Sequence, residues 1–444
     1  MDSDQAYAQE NPYAPSHAFQ PFAGREDAFA RLQNHLNNPA GTSPPVFLGR
    51  AKIGKTALLK QVTLAFGETY VSVYLPINPV TLGDEIIWIT TLANTLRDAA
   101  EIRGYLMPHP PEFPDDDEDE EDTTDIWREW LREECLPHLI KGIRPQRQFV
   151  LLLDDAHLLI DALRSKTLPP DSVDYLQTLL SPQFGMAMAM PESYEEALGE
   201  FAPLVTPSAS YRLGYLPESV METLFLTPVR GQYTVSEEAL HSIFMATGGI
   251  PAMLQRFGFH LYERITEKRA PFGQLTATIE DVRAVRDAVY AEWSPEFQTV
   301  WGGLGLDEKL FLTALGSLYY ADPVSPIGIE RLAEWLIETD YPLDTTAISA
   351  VFRELEYENV IAGNATAMTF TSDLFRRWVL ENARMEGTPV IVRATSEEGD
   401  SSRWLWVLIA VAVLLLLAVL LTLSLGGGGD ASEIIPTVTL LPQG

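Results

Sequence analysis

The chain has 444 residues, with 31 Lys and Arg against 62 Asp and Glu, a formal charge of −31. That excess disfavours a general nucleic-acid binder, because neutralising phosphates needs concentrated Lys and Arg. Hydrophobic residues make up 46% and charged residues 21%, which excludes global disorder, and at about 150 residues per domain the length allows two or three domains. The one cysteine, Cys135, permits neither an intramolecular disulfide nor a cysteine-cluster metal site and suits a reducing compartment.

Residues 1–20 are polar and turn-rich and read as an N-terminal strap, without the basic-then-apolar pattern of a signal peptide. Asp27 to Asn37 has helical apolar spacing, Val46-Phe47-Leu48 is a short apolar strand, and Thr56 to Phe66 is helical again. Strand, glycine-rich turn and helix open a βαβ unit, followed by a strand at Tyr70 to Leu75 and a helix at Asp84 to Ile102. Residues 108–124 interrupt it as an acidic loop: a proline-rich stretch, then Asp115 to Asp122 reading DDDEDEED, a self-repelling solvated run ahead of a helix at Trp127 to Leu139. Phe149 to Leu153 is fully apolar, as in a strand of a parallel sheet covered on both faces. The predicted fold is α/β, a P-loop parallel sheet over 21–215 with a mostly helical lid over 216–300.

From Asp307 to Leu380 the order is three helices and two short β segments, as in a winged helix, and this domain is assigned to 301–385. It carries five basic and twelve acidic residues, and its third helix, Thr345 to Glu358, has one Arg and three Glu. DNA readout needs the reverse, so a protein-docking or intramolecular role is expected. A polar linker, 386–403, leads into Trp404 to Leu425, 22 residues without a charge. As a helix this stretch would span ~33 Å and match a bilayer core of about 30 Å. Arginines precede it and the tail 426–444 has none, which places the N-terminal bulk in the cytoplasm and the tail outside.

Gly49-Arg50-Ala51-Lys52-Ile53-Gly54-Lys55-Thr56 fits G-x-x-x-x-G-K-[ST] between a strand and a helix. The glycines let backbone N–H groups turn toward phosphate oxygens, and the helix N-terminus, continuing through Ala57, adds partial positive charge. Lys55 is expected at the β- and γ-phosphates of ATP or ADP and Thr56 at Mg²⁺. Asp154, closing the apolar strand, would hold Mg²⁺ through water, and Asp155 would polarise the attacking water, one methylene short of the usual Glu. His157 reads as structural.

At these residues the chain resembles the STAND branch of AAA-related P-loop ATPases, allied to origin-recognition-type ATPases. The resemblance runs from about Asn11 to Leu380 and is carried by Asn11-Pro12-Tyr13, Gly24-Arg25-Glu26, the phosphate loop, the Asp-Asp strand, Gly249-Ile250-Pro251 and Arg376-Arg377-Trp378. It implies adenine contacts for Arg25 and Pro251, and a winged helix that relays the nucleotide state. The sensor position offers only Glu192 or Ser193, and Arg212, Arg230 and Arg256 are equal candidates for an arginine finger. The expectation is a single-pass cell-membrane ATPase switch with slow hydrolysis and an unidentified protein partner, compatible with a homo-oligomer. The competing readings are an oligomeric AAA-type ATPase acting on a protein substrate, a nucleotide-loaded scaffold without turnover, and a DNA-binding origin-recognition-like ATPase.

Overall fold

The computed structural model describes residues 10–15, 21–67, 69–105, 112–114, 123–268, 275–341 and 343–383. The acidic run 115–122, the linker 386–403, the apolar stretch 404–425 and the tail 426–444 lie outside the described residues. Among the described residues no helix is long and apolar enough to cross a membrane. The described residues up to Val379 form one compact unit; of the second unit, which begins at Leu380, only 380–383 are described.

The sheet-bearing part runs α1 (Glu26–Leu36), β1 (Val46–Leu48), α2 (Lys55–Phe66), β2 (Tyr70–Pro76), α3 (Glu85–Ile102), α4 (Thr123–Glu129), α5 (Leu136–Gly142), β3 (Gln148–Asp154), α6 (His157–Arg164), α7 (Ser172–Thr178), β4 (Phe184–Met190) and β5 (Ser210–Arg212). The five strands form one sheet in the order β2-β3-β4-β1-β5, all parallel. The helix expected over Trp127 to Leu139 is real but not uniform, since a π turn at Trp130–Cys135 joins α4 to α5.

Side-chain alternation divides the sheet between two helical layers. Phe149, Leu151 and Leu153 of β3 and Met186, Met188 and Met190 of β4 face α3, α4 and α5; Val150, Leu152, Ala187 and Ala189 face α1 and α2. The small residues of FGMAMAM let α1 approach closely: a Cβ on Gly185 would stand 2.5 Å from Leu36. Every residue of β3 and β4 is buried, and each large apolar side chain removed from water there contributes about 1.5–3 kcal/mol.

The lid comprises α8 (Met221–Leu226), β6 (Tyr233–Val235), α9 (Glu237–Thr247), α10 (Pro251–Glu267), β7 (Leu275–Ala277) and α11 (Ile279–Gly303). It is less purely helical than its sequence suggests, because β6 and β7 pair in parallel. Ser236 caps α9 through Ala239 N–H, and a Thr278/Asp281 capping box starts α11. Gly248 and Gly249, both at positive φ, turn the chain into α10 with Pro251 at its first position. Then follow α12 (Leu306–Ala321), α13 (Ile329–Glu338), α14 (Thr345–Tyr357), the antiparallel hairpin of β8 (Ile361–Asn364) and β9 (Ala367–Phe370), and α15 (Asp373–Asn382).

Candidate nucleotide site

The loop between β1 and α2 is shaped by its own sequence. Lys52 and Gly54 take left-handed backbone, and Ile53 is buried beneath as an anchor. A Cβ on Gly49 would meet the Ile53 side chain at 2.7 Å. The first N–H groups of α2 have no partner within the helix and so are open to an anion.

Lys55 lies inside this loop, its Nζ donating to the carbonyls of Gly49 at 2.8 Å and Arg50 at 2.9 Å. Burial pulls its pKa below the usual lysine value, while Asp155, Asp154 and Glu192 favour its charge. With neutral carbonyls as partners, the ammonium can transfer to phosphate without breaking an ion pair.

Asp154 ends β3, two strands from β1 in the sheet, and is 3% exposed. Its Oδ2 accepts from the Thr56 hydroxyl at 2.6 Å and from the Tyr74 hydroxyl at 2.8 Å; its Oδ1 accepts from Asp155 N–H at 3.2 Å. A buried carboxylate beside a hydroxyl at a helix N-terminus is a hard oxygen set suited to Mg²⁺. Burial, and then the bond to Asp154, push the Tyr74 phenol well above its usual range, so it is a donor at neutral pH. Asp155 is half exposed and sits at φ +55°. His157 packs its ring on Tyr194 at 4.9 Å, with Nδ1 4.0 Å from Asp155.

A cleft of about 790 Å³ runs from this loop to the lid. Lys52, Ile53, Gly54, Lys55, Thr56, Ala57 and Asp155 line one end; Tyr13, Phe22, Arg25, Phe225, Pro251 and Leu254 line the other. Arg25 and Pro251 are thus brought to one apolar wall, 226 positions apart in sequence. Both Nη atoms of Arg25 are committed to backbone carbonyls, of Gly214 at 2.8 Å and Ile53 at 2.9 Å, so it braces the loop as well as lining the cleft. Tyr13 is buried, donates to the Leu224 carbonyl at 3.0 Å, and rests where a Cβ on Gly258 would stand 2.4 Å from its ring.

Gly49, Arg50, Ala51 and Asp154 do not line that cleft. Arg50 turns away: Nε donates to Glu192 at 2.8 Å and Nη2 pairs with Glu358 at 2.9 Å. Lys52 meets Glu296 of α11 at 2.5 Å and lies 4.9 Å over the Trp293 ring. Of the two sensor candidates, Glu192 is in this cluster and Ser193 is exposed. Arg212 pairs with Glu195 and stacks on Tyr357 at 4.1 Å, Arg256 pairs with Glu292, and Arg230 is exposed. Sequence reasoning did not anticipate Tyr74, Glu296 or Glu358, since none belongs to a local pattern. Tyr74 alone left a trace, a polar-tipped aromatic on the strand face turned toward α2.

Strand, glycine loop, α2 and the Asp154 strand together define a P-loop nucleotide-binding fold. No protein-family model matches the chain, and no curated protein does. Among solved structures, it is similar to Cdc6p of Pyrobaculum aerophilum, at 18% identity over 84% of this chain and 98% of that one, TM-score 0.40. It is also similar to a Walker-type ATPase of Pyrococcus abyssi, at 12% identity over 80% of this chain and 95% of that one, TM-score 0.47. Drosophila ORC bound to DNA matches at 11% identity over 80% of this chain and 85% of that one, TM-score 0.35.

Proposed function

We propose that this chain is a membrane-anchored ATP-binding switch that hydrolyses slowly. The observation that carries the reading is the pairing of Arg50 and Lys52, cations of the phosphate loop, with Glu358 and Glu296 from outside the nucleotide-binding sheet. A change in charge at the loop therefore bears directly on α11 and on the turn after α14, the part with the element order of a winged helix. A difference in affinity between ATP and ADP for the two arrangements is what makes such a contact a switch.

In this reading Gly49 to Ala57 hold the phosphates, Lys55 leaves its two carbonyls for the β- and γ-phosphates, and Thr56 with Asp154 holds Mg²⁺. When bound, Mg²⁺ supplies neutralisation of phosphate charge. Asp155, half exposed at the cleft, orients the attacking water. Tyr13, Arg25 and Pro251 close on the base. The acidic balance of 307–380 supports a protein or intramolecular contact over DNA, and the charge-free stretch 404–425 with arginines only before it supports anchoring with the ATPase part in the cytoplasm.

Single-turnover hydrolysis and nucleotide retention on the purified full chain test the reading. Turnover below about 1 per second with ADP retained is expected; faster turnover with free exchange points to a motor, and no nucleotide binding removes the reading altogether.

A further inference from the structure

We propose that Tyr74 is a positioning residue of the Mg²⁺ site, its hydroxyl fixing the orientation in which Asp154 receives the ion. The inference rests on the P-loop reading and deepens it. Tyr74 lies on β2, opposite Leu152 of β3, two residues short of the level of Asp154, and its ring packs on the α2 side of the sheet. From there a phenol is long enough to reach the carboxylate at the strand end, and its hydroxyl donates to Asp154 Oδ2 at 2.8 Å.

The remaining partners of Asp154 show what this bond does. Oδ2 also accepts from Thr56, so one oxygen is bracketed by two hydroxyls on opposite elements, β2 and α2. Among the described residues Oδ1 has only the longer bond from Asp155 N–H, at 3.2 Å. A carboxylate with both hydroxyls on one oxygen has its plane fixed and keeps the other oxygen for a hydrated cation. Thr56 alone cannot give this, because its oxygen is the one expected to turn toward the metal. Lys60 lies over the Tyr74 ring at 5.1 Å, which holds the ring in place independently of the hydroxyl.

Tyr74→Phe keeps the ring, its packing and the Lys60 contact and removes only the donor. ATP affinity measured with a fluorescent analogue in EDTA and in saturating Mg²⁺ reads the effect as a ratio. The wild-type chain binds more tightly with Mg²⁺; in Tyr74→Phe that enhancement falls about fivefold or more while the EDTA affinity stays as in wild type and the chain stays folded, a loss in line with one hydrogen bond to a charged group. Tyr74→Leu, read the same way, serves if the first variant does not fold and loses at least as much. An unchanged enhancement in a folded variant overturns the proposal and leaves the P-loop reading standing, as does an equal loss with and without Mg²⁺. A wild-type chain that binds no nucleotide overturns both.

Discussion

Arg50 Nη2 lies 2.9 Å from the Glu358 carboxylate, so the phosphate loop is bonded directly to the turn that leaves α14. Both side chains are about one-third exposed, which sets the scale of the contact at about 0.5–1 kcal/mol, enough to bias an equilibrium and weak enough to be released. Glu358→Gln is expected to speed ADP release several-fold, and Glu296→Gln to do the same at Lys52. Stopped-flow release of a labelled ADP at low and high salt checks both, because the wild-type rate rises toward the variants as salt screens the pairs.

Lys55→Ala is expected to abolish nucleotide binding with little change in stability. Its ammonium satisfies two loop carbonyls and no buried carboxylate, so unfolding free energy falls by no more than about 1 kcal/mol. Calorimetric titration with ATP, beside urea unfolding of the same sample, separates the two effects.

Asp155→Glu is expected to raise single-turnover hydrolysis, since the longer side chain reaches further over the cleft. The backbone at φ +55° gives a physical reason for aspartate here, because Asp tolerates the left-handed region better than Glu. The same variant is therefore expected to lose about 1 kcal/mol of stability. A rate equal to or below wild type contradicts this account of the position.

Gly249 ties the N-terminal end of α10 to the segment that leaves β5 for the lid: its carbonyl accepts from Leu216 N–H at 2.9 Å, and a Cβ there would stand 2.0 Å from the Leu216 carbonyl oxygen. A Cβ on its neighbour Gly248 would stand 2.4 Å from the carbonyl oxygen of Thr371, before α15. Gly249→Ala combines a backbone clash with positive φ and is expected to cost more than about 2 kcal/mol in urea unfolding.

His35 is buried beneath β4, accepting from Met186 N–H at 3.2 Å, and burial lowers its pKa from 6.5 to about 4. A depressed folded pKa means that the unfolded chain takes up the proton first, so this contribution is intact above pH 6.5 and is lost as pH falls toward 4. The loss amounts to about 3 kcal/mol. Urea unfolding of wild type and His35→Gln between pH 7.5 and 4.5 checks it: the wild type loses stability relative to the variant over that window.

What was legible in the sequence is what repeats or spaces itself locally. Val46–Leu48 is readable as a strand with the bounds it has, and Phe149–Leu153 as all of β3 but its two end residues, because apolar runs define them. Three-residue strands such as β5, β6 and β7 are too short to show a period. The 25-residue α11, with Pro295 inside it, does not read as one helix, although it carries Glu296 to the phosphate loop. The loop and Asp154 were legible as a motif; Glu296, 244 positions from Lys52, and Tyr74, 80 from Asp154, become partners only through the sheet order and the lid.

Hydrogen exchange over residues 345–370, compared between the ADP-bound chain and the chain bound to a non-hydrolysable ATP analogue, tests the central claim most directly. The account predicts faster exchange around the end of α14 and the Glu358 turn with the triphosphate, as Arg50 turns from Glu358 toward the added charge. Equal protection of this segment in both nucleotide states, with nucleotide bound in each, would contradict it.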